Sequence, residues 1–306
     1  MKEVAYPVGY SVMPIYKENK VSSKGTVVKE RNLVAYMPSK CYVVNSNDSE
    51  KCEVVFPYET GKTVAESYFM SNYPKYNKEG KCTNSHKTTF LASDYETAKE
   101  EAEKLCEQGF SVYGIKANLM KRQDVQSSFD EALNHFDGKL DILVNNSGMI
   151  RRHKSEDFPL EDWDKVINLN LNTVFQLCQL AGKVMLKQGS GKIINIASML
   201  SFFGGFTVPA YSASKGGVAQ LTKALANEWS SKNVQVNAIA PGYMATDINQ
   251  ALIDDEKRNH EILSRIPAGR WGNPEDMQGI VVFLASNASN YINGAIIPVD
   301  GAYLAR

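Results

Sequence analysis

The sequence has no net charge, few cysteines and no long apolar run, and each absence excludes a class of protein. Its 34 Lys and Arg balance 34 Asp and Glu, so charge gives no reason to expect a nucleic acid or a membrane surface as partner. The 5 cysteines are odd in number and form no Cys-x-x-Cys pair, which argues against a zinc site. No apolar run approaches membrane-spanning length, and the first residues show no apolar signal-peptide core. We therefore expect a reduced, cytoplasmic protein with no metal, no nucleic acid and no membrane as partner.

From residue 94 onward, amphipathic helical patterns alternate with short apolar strands. Continuously apolar strands that are separated by helices are typical of a parallel sheet covered on both faces. The pattern therefore predicts an α/β fold. The predicted helices are Asp94–Gln108, Val125–Phe136, Trp163–Leu186, Ala213–Ser230 and Pro274–Leu284, and the predicted strands are Phe110–Ile115, Leu140–Val144, Lys192–Ala197, Val234–Ile239 and Ala295–Val299.

The first ninety residues have a different sequence pattern. Short β-branched runs near Thr26, Leu33, Cys41 and Val54 are separated by polar residues and predict β-hairpins. Residues 71–87 have the composition of a linker. We expect an atypical, β-rich N-terminal segment over residues 1–87 and the main domain over residues 88–306.

Tyr211 and Lys215 stand four residues apart in a predicted helix, so both side chains lie on one face. A neighbouring ammonium favours the phenolate and lowers a tyrosine pKa from about 10. Ser198 closes a strand pattern, and ligands bind at the carboxyl ends of strands in open α/β sheets. The three residues predict proton exchange with a hydroxyl group such as that of a sugar or steroid. The alternative is a Tyr and a Lys on an ordinary amphipathic helix.

Several ordered motifs show that residues 94–306 resemble the short-chain dehydrogenase/reductases. The motifs are Asn145-Asn-Ser-Gly148, Asn170-Leu171, Ser198, Tyr211-x-x-x-Lys215, Pro241-Gly-Tyr-Met-Ala-Thr246 and Val299-Asp-Gly301. The resemblance implies a Rossmann-like, doubly wound parallel sheet, an NAD cofactor with NADP not excluded, and a homo-oligomer, a tetramer in this family.

The resemblance also implies a role for individual residues. Tyr211 acts as general acid and base, Lys215 lowers its pKa and holds the nicotinamide ribose, Ser198 binds the substrate oxygen, and Asn170 holds a water in a proton relay. The last has an alternative, an amide that satisfies backbone groups inside a helix. The residues implied to contact the cofactor are Asn118, Asn145, Gly148, Tyr211, Lys215, Pro241, Gly242 and Thr246.

Longer stretches resemble dehydrogenases that act at C5 of 2-dehydro-3-deoxy-D-gluconate, a keto-deoxy sugar acid of uronate breakdown. They are Gly148–Arg152, Asn195–Ser201, Ala240–Thr246 and Arg265–Gly272. Gluconate 5-dehydrogenases are the nearest alternative. A sugar acid needs a cation for its carboxylate, and a guanidinium offers two parallel donors. We expect Arg152 to contact the substrate together with Ser198 and Tyr211, while Arg151 and Arg270 are further candidates.

The family's N-terminal motif, Thr-Gly-x-x-x-Gly-x-Gly, is missing. Its glycines allow the backbone to approach the pyrophosphate, which rests on a helix N-terminus. The nearest remnant, Val54–Ser67, has Ala65 and Ser67 in place of the later two glycines. Residues 1–93 are therefore either a divergent first βαβ unit or an unrelated β-rich segment. A non-catalytic scaffold with the dehydrogenase fold remains the competing hypothesis to an active enzyme.

Overall fold

The computed structural model describes residues 111–246 and 249–306, six strands before residue 93, and the helical residues 99, 102, 103, 106 and 107. The described strands are β1 (Ile15–Ser23), β2 (Thr26–Val34), β3 (Lys40–Val44), β4 (Lys51–Val55), β5 (Ser67–Ser71), β6 (Lys87–Ala92), β7 (Ser111–Lys116), β8 (Ile142–Asn145), β9 (Gly191–Ile196), β10 (Val234–Pro241) and β11 (Ile296–Val299).

The α-helices described after residue 110 are α1 (Arg122–His135), α2 (Leu160–Ile167), α3 (Thr173–Gln188), α4 (Pro209–Trp229), α5 (Gln250–Asp254), α6 (Glu256–Leu263) and α7 (Gln278–Ala285). Single 3-10 turns lie at Ser155–Asp157, Met199–Ser201, Ser230–Lys232, Pro274–Met277, Asn287–Ser289 and Tyr303–Ala305.

One sheet of seven strands organises the main domain, in the order β11-β10-β9-β8-β5-β6-β7. Apolar residues of the strands pack on both faces. One face meets α1, α3 and α4 in a core that includes Phe129, Leu177 and Val218. The other meets α7 and the helical residue Ala102. The predicted doubly wound α/β fold is confirmed, because buried strands are covered by helices on each side.

Strand β5 is the exception to the parallel arrangement. It lies between β8 and β6 and runs antiparallel to both, with Ser67 opposite Asn145 and opposite Leu91. The other neighbouring pairs in the sheet are parallel. The parallel arrangement predicted for the strands after residue 94 is confirmed, and the antiparallel strand belongs to the N-terminal segment that the sequence marks as atypical. At the carboxyl edge of its neighbours β8 and β6, strand β5 begins rather than ends.

The predicted β-hairpin texture before residue 60 is confirmed. Strands β1 and β2 form one antiparallel pair, and β3 and β4 form a second. The predicted linker runs from Ser71, the last residue of β5, to Lys87, the first of β6, and residues 72–86 lie outside the described residues. The same holds for most of the Val54–Ser67 remnant. The division of the chain at residue 87 stays a prediction.

The helix predicted from Trp163 to Leu186 is interrupted. Helix α2 ends at Ile167, a single π-helical turn covers Asn168–Asn172, and α3 then continues to Gln188. A π-turn inserts one extra residue per turn, and such turns are frequent at functional sites. The inserted turn contains Asn170, one of the predicted catalytic residues. Helical periodicity alone did not reveal the widened turn.

Candidate active site

The predicted catalytic side chains meet at the carboxyl edge of the sheet. Ser198 follows the end of β9, and Tyr211 and Lys215 lie one turn apart near the start of α4. The hydroxyl of Ser201 donates to the Lys215 carbonyl at 2.7 Å, which ties the turn after Ser198 to helix α4. The sequence prediction that these three residues share one site is in accord with this geometry.

The Ser198 hydroxyl is oriented toward Tyr211. Its oxygen accepts the Leu200 backbone N–H at 3.1 Å, which caps the short turn Met199–Ser201. The Ser198 hydroxyl also lies close enough to the Tyr211 phenol to lower the pKa of that phenol by hydrogen bonding. Two hydroxyls held in this way can both hydrogen-bond one oxygen of a substrate.

Burial raises the pKa of Tyr211 above its ordinary value, and this is the larger effect. The hydrogen bond from Ser198 and the positive charge of Arg152 act in the opposite direction and lower it. The net shift is therefore opposite to the lowered pKa that the Tyr–Lys spacing predicted, and the part of Lys215 in setting it stays a prediction. Because desolvation disfavours the charged form, the phenol is protonated at neutral pH.

Lys215 is buried, and its ammonium faces the backbone. Its Nζ donates to the Ile196 carbonyl oxygen at 2.5 Å and lies 5.7 Å from the centroid of the Tyr211 ring. Burial lowers the pKa of Lys215 to about 8. The same Nζ lies 3.7 Å from the point where a Cβ on Gly148 would be, so the glycine leaves the space beside the ammonium open.

Asn170 is fully buried and links three parts of the site. Its Oδ1 accepts the Met149 N–H at 2.8 Å, and its Nδ2 donates to the Met149 carbonyl at 2.9 Å and to the Ser214 hydroxyl at 3.2 Å. The amide therefore fixes the chain after β8 against helix α4. These contacts match the structural alternative named above, and the water relay stays a prediction.

Apart from Gly148, Tyr211 and Lys215, which are described above, the predicted cofactor residues divide into two groups. Asn145 is turned into the core, where its Nδ2 donates to Asn195 Oδ1 at 2.8 Å and to Cys178 Sγ at 3.3 Å. Its buried Oδ1 has no hydrogen-bond partner among the described residues. Asn118 is exposed beyond β7, and its Oδ1 accepts the Met120 N–H at 3.0 Å. Neither side chain presents its acceptor to the space beside Tyr211.

The second group lies after β10, next to the catalytic centre. Pro241 ends the strand, and the Gly242 N–H donates to the Val299 carbonyl at 3.0 Å. A Cβ on Gly242 would lie 2.6 Å from the Asp300 Cα, so only glycine fits this approach of two backbones. Thr246 is half-buried in the loop that follows. Contacts to the segment that includes the end of β11 and Asp300 hold this loop in place.

The structure distinguishes among the three arginines proposed for the substrate carboxylate. Arg151 lies 3.7 Å from Asp162, and Arg270 makes two hydrogen bonds to Asp276 at 2.7 and 2.8 Å. Arg152 lines the cavity that contains Ser198 and Tyr211. Its guanidinium is the candidate that faces the catalytic phenol.

The cavity beside Tyr211 has a volume of about 240 Å³. Pockets for drug-sized ligands have volumes of about 300–1,000 Å³, so this smaller space suits a small molecule. Its walls include polar and aromatic residues that the sequence reasoning did not assign to the site: Tyr243, Asn249, Arg258, Arg265 and Tyr303. Arg265 lies over the Tyr303 ring at 4.8 Å, and Arg258 is paired with Glu261. Their positions depend on how the segment after β10 folds back, which no local pattern predicts.

Among the described residues, no group of three or more His, Cys, Asp or Glu side chains could hold a metal ion. No helix in the described part of the chain is long and apolar enough to cross a membrane.

The fold, with Ser198, Tyr211 and Lys215 brought together at the carboxyl edge of its sheet, is typical of one class of protein, the doubly wound α/β dehydrogenases. The family model described as Enoyl-(Acyl carrier protein) reductase matches residues 83–303. The chain belongs to the short-chain dehydrogenase/reductase family, and it is an NAD(P)-dependent short-chain dehydrogenase.

Three relatives illustrate the similarity. A 2-dehydro-3-deoxy-D-gluconate 5-dehydrogenase from Bacillus subtilis is 51% identical over 71% of this chain and 85% of that protein. A gluconate 5-dehydrogenase from Gluconobacter oxydans is 39% identical over 64% of this chain and 78% of that protein. The structure of a gluconate 5-dehydrogenase from Burkholderia cenocepacia, in complex with NADP and tartrate, has a TM-score of 0.68 and 35% identity, covering 71% of this chain and 85% of that chain.

The described residues fit only part of a nicotinamide dinucleotide. Beside Tyr211, Gly148 leaves open space next to the Lys215 ammonium, and the loop after β10 adds backbone and the Thr246 hydroxyl. A pyrophosphate requires a strand that ends at this edge and leads into a helix N-terminus. In the position between β8 and β6, the antiparallel strand β5 begins at this edge instead. Among the described residues, the nicotinamide end therefore fits and the pyrophosphate does not.

Proposed function

We propose that this protein interconverts a hydroxyl and a keto group at C5 of a keto-deoxy sugar acid of the 2-dehydro-3-deoxy-D-gluconate type, in uronate catabolism. The observation that carries the proposal is the cavity in which the Arg152 guanidinium faces the same space as Ser198 and Tyr211. Relatives named for this substrate support it, at identities of 46–53%. When bound, NAD supplies the hydride chemistry.

Tyr211 moves the proton at the substrate oxygen. Because burial raises its pKa, the phenol is protonated at neutral pH and can donate to the oxygen of a C5 ketone as that oxygen gains negative charge. In the opposite direction the phenolate must accept the proton of the C5 hydroxyl, which higher pH favours. Ser198 donates a hydrogen bond to the same oxygen and stabilises its developing charge.

Arg152 binds the carboxylate of the acid in this proposal. A guanidinium that lines a small cavity offers two parallel donors, and a hydrogen bond to a charged partner contributes about 1.5–3 kcal/mol. Arg265 and Arg258 place further positive charge on the same cavity wall. The sugar hydroxyls have Asn249 and Tyr243 as polar neighbours in this arrangement, while Tyr211 selects the reacting carbon.

The test is turnover by the purified protein, followed at 340 nm. The substrates are 2-dehydro-3-deoxy-D-gluconate, D-gluconate and the uncharged polyol sorbitol, each with NAD and with NADP. Preferred oxidation of the keto-deoxy acid with NAD supports the proposal. Preference for D-gluconate would favour the gluconate 5-dehydrogenase alternative, to which the Gluconobacter relative is similar. The absence of turnover on every substrate would favour the non-catalytic scaffold.

The remaining sequence expectations belong to the same proposal. We propose that the protein works in the cytoplasm as a homo-oligomer, a tetramer as the family resemblance implies. We also keep the division into an atypical segment over residues 1–87 and a dehydrogenase domain over residues 88–306. Size-exclusion chromatography with light scattering measures the oligomeric state, and limited proteolysis locates the boundary between the segment and the domain.

A further inference from the structure

The described residues form the nicotinamide half of the cofactor site more completely than the adenylate half. The nicotinamide must lie beside Tyr211, because a hydride has to reach the carbon whose oxygen the phenol and Ser198 bind. That end of the site is built: Lys215 is buried at a hydrogen-bonded position, and Gly148 and Gly242 bring the adjacent backbones close. All of these residues lie on, or directly after, strands β8 to β10 and helix α4.

The adenylate half has no equivalent built site among the described residues. In a doubly wound sheet, the strand between β8 and β6 would end at the ligand edge and present the N–H groups of a following helix to the phosphates. Here Ser67 begins β5 at this edge and pairs with Asn145, and the strand leads away from it. The N–H groups of a helix start are therefore not delivered to this place by β5.

The sequence before the sheet offers no glycine-rich replacement. The glycines that precede residue 94 are Gly9, Gly25, Gly61 and Gly80, so no two of them stand close enough for a Gly-x-x-x-Gly-x-Gly turn. Side chains at such a turn would separate the backbone from the phosphates. Asn145, at the end of β8, keeps a buried acceptor without a partner, which shows that the contacts at this junction are incomplete among the described residues.

We propose that this chain binds its cofactor through the nicotinamide mononucleotide half alone, so that reduced nicotinamide mononucleotide (NMNH) binds as tightly as NADH. The adenosine and second phosphate of the dinucleotide then add no affinity. The proposal concerns the cofactor only and does not depend on which sugar acid is the substrate.

Binding of NMNH and of NADH to the full-length protein tests the proposal, by nicotinamide fluorescence and by calorimetry, without substrate. We expect dissociation constants within about threefold of each other and no displacement of NMNH by ADP-ribose. An NADH preference of tenfold or more corresponds to about 1.4 kcal/mol of added contact and would overturn the proposal. Displacement of NMNH by ADP-ribose, or no NMNH binding at millimolar concentration, would overturn it as well.

A matched pair of variants locates the binding. Lys215→Met removes the buried ammonium beside Gly148 and should weaken NMNH and NADH equally, by tenfold or more. Lys165→Met removes the same charge from an exposed pair with Glu161 and should leave both constants unchanged. If Lys215→Met weakened only NMNH, NADH would be held elsewhere and the proposal would be wrong. Circular dichroism confirms that each variant is folded, and separate turnover assays keep the substrate proposal distinguishable.

Discussion

Two adjacent arginines provide the sharpest test of substrate recognition. Arg152 lines the cavity with Tyr211, whereas Arg151 lies 3.7 Å from Asp162 and donates to the Ile150 carbonyl. Replacing Arg152 by methionine keeps much of the apolar side chain and removes the guanidinium. The change should therefore act on a carboxylate substrate, and the same change at Arg151 should not.

The expected magnitude follows from the kind of contact. A hydrogen bond to a charged group contributes about 1.5–3 kcal/mol, and about 1.4 kcal/mol corresponds to a factor of ten. Because Arg152 is exposed, the lower end of that range applies, and the Michaelis constant for the sugar acid should rise about tenfold. The constant for sorbitol should change by less than about twofold.

Arg152→Met should also change the pH dependence of the reaction. The positive charge of Arg152 lowers the pKa of Tyr211, so its removal should raise that pKa further. Oxidation requires the phenolate, and the rising limb of its pH–rate profile should therefore move to higher pH. Steady-state kinetics from pH 6 to 10 measure both effects. An equal loss with the acid and the polyol, or the same loss in Arg151→Met, would refute the reasoning.

Three further predictions concern catalysis and stability. Tyr211→Phe should abolish turnover while NMNH binding stays nearly intact; retained turnover would mean that another group moves the proton. Lys192 is buried, its Nζ donates to Ser289 Oγ at 3.1 Å, and burial lowers its pKa to about 8, so the folded protein should gain stability as pH rises from about 8 to 10.5. Lys192→Met should then raise the free energy of unfolding at pH 7, measured with urea, and weaken its dependence on pH. A free energy of unfolding that depends on pH as in the unchanged protein would contradict this. Gly216→Ala places its methyl group in open space beside α4 and should stabilise the folded protein by about 0.5–1 kcal/mol. Gly182→Ala would place a Cβ 2.7 Å from the Trp229 ring and should destabilise it. A change of the same sign in both variants would contradict the packing argument.

The sequence predicted the main domain well, because its strands and helices have strong local periodicity. The same periodicity failed for β5 and β6. Strand β5 pairs with β8, far away in the chain, and its direction is decided by that non-local pairing rather than by the residues Ser67–Ser71. The π-turn around Asn170 was missed for a related reason, since a side chain that binds the Met149 backbone is a tertiary contact.

The candidate site shows the same division between local spacing and tertiary environment. The helical spacing of Tyr211 and Lys215 was sufficient to predict that both face one space. The direction of the Tyr211 pKa shift was not predictable, because burial outweighs the charges around it. The choice among Arg151, Arg152 and Arg270 likewise required the positions of Asp162 and Asp276, which pair with two of them.

Proton transfer and cofactor binding depend on different parts of this chain. The acid–base residues are positioned by β9, α4 and the π-turn, and these contacts do not involve β5. The pyrophosphate depends on the strand between β8 and β6, where the direction of the chain is reversed. An intact Tyr211 centre is thus no evidence for dinucleotide affinity, and the missing glycines are no evidence against proton transfer. Binding and turnover must therefore be measured independently, because the structure assigns them to different strands.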